Sequence, residues 1–203
     1  MTSSLLTPDE RSLDRTALDV LFHEARTANG FLTQPVSPDT LRDIVESTKM
    51  APTAMNALPL RVVFVTTEEG RARLIPALMP GNVAKVEAAP VTAILARDLE
   101  FHEHLPRLFP HAPQAYFDGA RANAEPMSLQ NATLQAGYFI LAARAHGLDA
   151  GPMGGFDAEK VDAEFFPEGT RKSILLVSLG YADSSKTFPR NPRLNFEEIA
   201  SFA

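Results

Sequence analysis

Three groups of side chains in this sequence are of types that hold or move charge. Arg26 and Thr27 adjoin in "EARTANGF", Asn82 and Lys85 stand three apart in "GNVAK", and Lys186, Arg190 and Arg193 cluster in "SKTFPRNPRL". Positions three apart share a face when helical. Each cation alone reads better as a solvated surface charge. Together they suit one anion such as a phosphate, which takes charge-assisted hydrogen bonds from several donors at once. A fourth group, His102, His104 and His111 around Glu103, has an H-x-H spacing that can chelate. It lacks a further ligand at a helical i+3 or i+4 position, and HExxH is absent. A solvated loop is the simpler account, and no metal site is expected.

Other chemistries are excluded by what is missing. With no Cys there is no disulfide, thiolate ligand or cysteine nucleophile. No G-x-S-x-G elbow, no G-x-x-x-x-G-K-[ST] loop and no G-x-G-x-x-G after a strand occurs. "GPMGGF" (151–156) has three glycines, which either let the backbone approach a ligand closely or make an ordinary turn between helices. "MAPTAMNALPLR" (50–61) raises a sharper question. Two prolines stop a helix and start a strand, which accounts for the prolines but not for Thr53 and Asn56 in a charge-free loop of small residues.

The 203 residues are 45% apolar and 22% charged, an ordinary globular composition read as a single domain over 1–203. A net charge of −6 argues against a nucleic-acid partner, because phosphate backbones want a basic face. No apolar run reaches the ~18 residues of a membrane span. "MTSSLLTPDER" has neither a basic start nor an apolar core, so no leader is expected and the expected location is cytoplasmic.

Apolar spacing predicts a helix over roughly 13–28 that Gly30 can end, and a second opening at Ser37 with Pro38 and Asp39 in its first turn. "RVVFVTT" (61–67) and "PVTAILAR" (90–97) read as strands, with "EEGRARLIPALM" as a helix between them. Residues 99–125 have three prolines and no clean period, which suggests short helices and loop forming a mobile cover. Residues 126–148 read as a helix apolar nearly all round, hence buried, with Gly147 as its C-cap. "SILLVSLGYA" (173–182) is a strong strand, and the tail offers at most an edge strand or short helix. Helices and strands alternate, giving an α/β or α+β class.

In order along the chain, these pieces resemble the FMN-dependent nitroreductase family. "ARTANGF" is similar to that family's R-R-S-x-R-x-F, "APTAMNALPLR" to its A-P-S-x-x-N-x-Q-P-W-R, and "NVAK" to its Asn-x-x-Lys pair. "LAARAHGLDAGPMGGFDAEKV" and "LGYADSSK" with "RNPRLNFEEI" resemble its later helix end, flavin-facing turn, strand end and basic tail. The resemblance runs from about residue 20 to 200. The wording of "RTANGF", "GNVAK", "GPMGGFD" and "GYADSSK" is similar to a branch of malonic semialdehyde reductases.

This resemblance implies an α+β nitroreductase-like fold, a central mostly antiparallel sheet flanked by helices, in an intertwined homodimer that uses the 126–147 helix. It implies FMN as cofactor, NADH or NADPH as co-substrate, and a flavin that does the chemistry without a catalytic side chain. Arg26, Arg190 and Arg193 match phosphate positions, with Thr27 as a hydroxyl donor and Asn29 in the same opening motif. Pro52, Thr53, Ala54 and Asn56 match a loop against the flavin ring, with Asn56 serving the other subunit. Asn82 and Lys85 match the pyrimidine edge, and the backbone of Met153, Gly154 and Gly155 the approach to N5. The sequence departs at Ala25 and Asn29, where the family has arginines, and at Leu58 and Leu60, where it has Gln and Trp. A semialdehyde substrate carries a carboxylate, for which Lys85 and Arg121, and more weakly Arg107, are the candidate cations.

Overall fold

The computed structural model describes residues 12–203; Met1–Arg11, where no leader is expected, lies outside them. Among the described residues, strands β1 (Leu60–Val65), β2 (Val91–Asp98), β3 (Asp149–Met153) and β4 (Arg171–Gly180) form one sheet in the order β1–β2–β4–β3. All three pairings are antiparallel. β2 is buried along nearly its whole length because helices cover both faces, which is why "VTAILAR" reads as a continuous apolar run. β1 is an edge strand and stays half-buried except at Val65.

Alternation along the strands sends neighbouring residues to opposite faces. On one face Ala93, Leu95, Val177 and Leu179 meet helix α2 (Pro38–Thr48) through Leu41 and Ile44. The same face meets helix α7 (Ala124–Ala145) through Ala136, Phe139, Ala142 and Ala143. On the other, Ile94, Ala96 and Leu176 meet Leu74 of α3 (Glu68–Leu74), Val86 of α4 (Pro80–Ala88) and Val161 of α8 (Ala158–Phe165). Each fully buried Leu, Ile or Phe contributes about 1.5–3 kcal/mol relative to exposure. α2 begins as its sequence predicts: the Ser37 hydroxyl accepts from the Thr40 amide at 3.0 Å and Pro38 takes the first helical position.

Three expectations are corrected. The first helix does not run to residue 28: α1 (Arg15–Leu18) passes into a π-helical turn, Asp19–His23, and stops. The following chain is held extended by tertiary bonds, from the Ala28 amide to the Ala150 carbonyl at 3.0 Å and by a bridge between Phe31 and Ala182. Gly30 is therefore part of this strap and not a helix cap. Second, "DAGPM" is no inter-helix turn but the edge strand β3, paired from Asp149 with Gly180 to Met153 with Leu176. Third, α7 is buried on one side only. Leu129, Leu134 and Tyr138 are exposed, because the sheet covers one face of the cylinder and the small residues on that face carry the packing. Residues 99–125 form short helices and turns, as expected: a 3-10 turn Phe101–His104, then α5 (Leu105–Leu108) and α6 (Gln114–Ala122), anchored by buried Phe101, Leu105 and Ala120. The tail carries α9 (Phe196–Ile199), opened by an Asn195–Glu198 capping box. Among the described residues no helix is long and apolar enough to cross a membrane.

Candidate functional site

The end of the π-helical turn leaves carbonyls without downstream amides, and arginines from distant segments take them. Arg144, in the last turn of α7, donates to the Leu21 carbonyl at 2.9 Å. Arg190 donates to the carbonyls of Phe22, His23 and Ala25 at 2.9, 2.7 and 2.8 Å. Arg26 donates to His23 and Ala25 at 3.1 and 3.0 Å. Cations belong at a helix C-terminus, where orphan carbonyls collect negative charge. With Thr27, Asn29 and Arg193 these side chains line a cavity of about 460 Å³. Among the described residues the one carboxylate within ion-pair distance of these guanidiniums is Glu24, 3.9 Å from Arg26. Burial and then the nearby Arg190 charge push the Arg144 pKa down, with Asp149 opposing.

Beyond Thr27 the wall continues to α4. Gly151 lies so close to the strap that a Cβ there would stand 2.5 Å from the Ala28 carbonyl oxygen and 3.3 Å from Cδ of Lys85. One turn earlier on α4, Asn82 donates to the Gly155 carbonyl at 2.8 Å, and the Met79 amide donates to the same oxygen at 3.0 Å. Gly154 faces open space. The α4 pair, the strap and the β3 exit thus meet at one edge of the sheet. Among the described residues Lys85 has no carboxylate within ion-pair distance, and burial lowers its pKa.

The 50–61 loop lies elsewhere. Met55, Asn56 and Leu58 have φ of 57°, 51° and 44°, left-handed conformations that cost non-glycine residues free energy and concentrate at functional sites. Polar side chains of α7 hold the loop in this shape. Asn131 accepts from the Ala54 amide at 2.7 Å and Gln135 from the Leu60 amide at 3.0 Å. The Thr53 hydroxyl accepts from the Leu58 amide at 3.2 Å, and Asn56 donates to the Leu108 carbonyl at 3.0 Å. Pro52, Ala54 and Asn56 are exposed. Asn131 and Arg144 stand thirteen residues apart on one helix, about 20 Å along its axis at 1.5 Å per residue. In one chain more than half the length of α7 therefore separates the residue that holds Ala54 of the loop from the arginine at the cavity.

A family model described as the Nitroreductase family matches residues 24–181, which span the strap, the loop, α4, β3 and β4. The chain belongs to the Nitroreductase family. A relative from Stenotrophomonas maltophilia (strain R551-3), provisionally named NADH dehydrogenase/NAD(P)H nitroreductase, is 53% identical over 193 residues, 95% of this chain and 98% of the other. Two solved structures share the fold at lower identity. One, provisionally named an NAD(P)H:FMN oxidoreductase, from Staphylococcus epidermidis, has a TM-score of 0.83 at 17% identity over 95% of this chain and 98% of its own. The other, from Exiguobacterium sibiricum, is provisionally a nitroreductase and was solved in complex with FMN. It has a TM-score of 0.79 at 22% identity over 95% and 98%.

In this nitroreductase-family chain Arg26, Thr27, Asn29, Arg190 and Arg193 come together around the cavity, and Asn82, Lys85, Gly154 and Gly155 along the adjoining wall. Pro52, Thr53, Ala54 and Asn56 do not join them within one subunit. The side chain of Met153 is buried among Ile94, Val161 and Leu176, which leaves its backbone to face a ligand. Arg121 is engaged by Glu103 and by Nε2 of His102 at 3.0 Å, which ties α6 to the 3-10 turn at the surface. Three residues went unpredicted, Arg144, Asn131 and Gln135. Their signal was present as polar side chains in a helix otherwise apolar enough to be called buried. Among the described residues no group of three His, Asp or Glu is placed to hold a metal.

Lys85→Met tests the electrostatic character of the wall. Because burial holds the Lys85 pKa below the lysine value, the charged form costs folding stability at neutral pH. That cost is relieved only as pH rises through the lowered pKa, so the contribution is one of increasing stability toward high pH. The substitution should leave the melting temperature of the flavin-free protein at pH 7 unchanged or raised, and reduce the further rise produced by added FMN. A lowered flavin-free melting temperature with an undiminished FMN response would contradict it.

Proposed function

We propose that this chain is an FMN-dependent NAD(P)H oxidoreductase whose acceptor is a small semialdehyde bearing a carboxylate, malonic semialdehyde, reduced to 3-hydroxypropionate. The observation that carries the cofactor is the arginine cavity, where guanidiniums converge with a single weak carboxylate neighbour, joined to a neutral wall ending at Lys85. These residues fit FMN: the cations suit a phosphate dianion, and the open face of Gly154 with the backbone around Gly155 leaves room for a flat ring. FMN held there would supply hydride-transfer chemistry between NAD(P)H and the second substrate.

The protein's part is binding and electrostatics. Arg26, Arg190 and Arg193 hold the phosphate with Thr27, Asn29 sits beside them, and Asn82 fixes the Gly155 backbone. Lys85 would supply positive charge beside the ring, and it is the cation best placed to meet a substrate carboxylate. The loop of Pro52, Thr53, Ala54 and Asn56 contributes to the site of a second copy, in a homodimer that covers Leu129, Leu134 and Tyr138 of α7. A cytoplasmic location belongs to the same proposal. A broader nitroreductase or quinone-reductase specificity is the second reading, favoured by the name of the 53% identical relative.

The absorption spectrum of the purified protein with added FMN, followed by anaerobic titration with NADH and with NADPH, tests the cofactor assignment. A flavin band that either nucleotide bleaches is expected; a protein colourless after FMN addition, or one whose band neither nucleotide bleaches, sinks it. Turnover on malonic semialdehyde against nitrofurazone then separates the two acceptor readings.

A further inference from the structure

Arg144 lies in the last turn of a helix otherwise packed with small apolar residues, half-buried, at the cavity lined also by Ala25, Arg26 and Arg190. Its one hydrogen bond among the described residues goes to the Leu21 carbonyl, while Arg190 takes the next carbonyl, Phe22. Two guanidiniums are thus held on consecutive carbonyls of one π-helical turn. No carboxylate lies within ion-pair distance of either among the described residues. Arg144 is half-buried and Arg190 exposed, and like charges held side by side with only carbonyl dipoles facing them repel, a cost that a doubly charged anion between them would relieve. The lowered pKa of Arg144, caused first by burial and then by Arg190, points the same way.

We infer that Arg144 is a phosphate-binding residue of this site and that it sets the preference for phosphorylated over unphosphorylated flavin. This rests on the proposal that the cavity takes FMN. A guanidinium donates in a planar fork, so Arg144 can keep the Leu21 carbonyl with one nitrogen and offer others to phosphate oxygens. Its anchorage on α7 matters as well. The other arginines come from the strap and the tail, whereas this one is fixed on a long helix packed against the sheet, so its cation is positioned before the ligand arrives.

The test compares FMN with riboflavin, which lacks the phosphate, by fluorescence titration of the flavin-free protein. Arg144→Ala should weaken FMN by about 10- to 100-fold, the range of a lost hydrogen bond to a charged group, and leave riboflavin unchanged. Arg144→Lys should recover part of the loss. Because Ala25 lines the same cavity, adding Ala25→Arg to Arg144→Ala should restore FMN affinity, which a purely structural role for Arg144 would not allow. If Arg144→Ala does not fold, Arg144→Gln, which keeps a donor for Leu21, carries the same comparison. Equal losses for FMN and riboflavin, or no loss of FMN, overturn the inference alone. A wild-type protein that binds neither flavin overturns the cofactor proposal instead.

Discussion

Hybrid dimers of differently tagged Arg190→Ala and Asn56→Ala chains should bind about half the flavin of the wild-type dimer, while each variant alone binds little. The expectation follows from the geometry of α7. Arg144 at the cavity and Asn131, which holds the left-handed loop, stand about 20 Å apart along its axis, and the proposed homodimer would bring the loop of one chain to the cavity of the other. If a site takes its phosphate ligands from one subunit and its loop from the other, the hybrid concentrates both defects in one site and leaves the second intact. If each site is built from one chain, every site in the hybrid carries one defect and nothing is recovered. Flavin content per dimer, read from absorbance after gel filtration, decides between these outcomes. Recovery near zero would retire the shared site.

Gly151→Ala should lower the melting temperature by about 5–10 °C, from a loss of about 2–3 kcal/mol, and abolish FMN retention. The added Cβ would stand 2.5 Å from the Ala28 carbonyl oxygen, and that neighbour is backbone, not a side chain that can swing away. Relieving the clash means moving the strap, which breaks the Ala28–Ala150 hydrogen bond and carries Arg26, Thr27 and Asn29 with it. It also presses on the stem of Lys85. Gly154→Ala is the matched comparison: its Cβ would meet nothing within 4 Å, so the flavin-free melting temperature should change by no more than about 1–2 °C. Thermal denaturation of both variants without flavin checks the prediction. Equal shifts would show that the close approach at Gly151 carries no special cost.

The elements legible in the sequence were those whose own residues enforce them. β2 and β4 are apolar runs of β-branched and aliphatic residues that helices cover on both faces, and α2 has a hydroxyl cap, a first-turn proline and an apolar stripe. β3 was not legible. "DAGPM" has low strand propensity and becomes a strand because β4 offers its edge and the strap from Ala28 covers its other side. The length of the first helix was misjudged for a similar reason. Its apolar spacing continues past His23, but arginines from α7 and the tail take its last carbonyls and the strap pulls the chain straight.

The charge-free loop at 50–61 follows the same division. Its prolines and small residues announced a rigid turn, and Asn56 announced a polar group with work to do. They could not announce that three non-glycine residues sit at positive φ, nor that Asn131 and Gln135 hold them there from α7.

By itself the sequence determined the sheet's inner strands, the apolar layers and the residue types of an anion site, because these depend on local pattern and side-chain chemistry. Only the tertiary structure decided that Arg26, Arg190 and Arg193 share one cavity, that Arg144 joins them, and that α7 holds the Asn56 loop about 20 Å along its axis from Arg144. Convergence of charges from residues 26, 144, 190 and 193 depends on how distant segments pack, and no spacing along the chain encodes it.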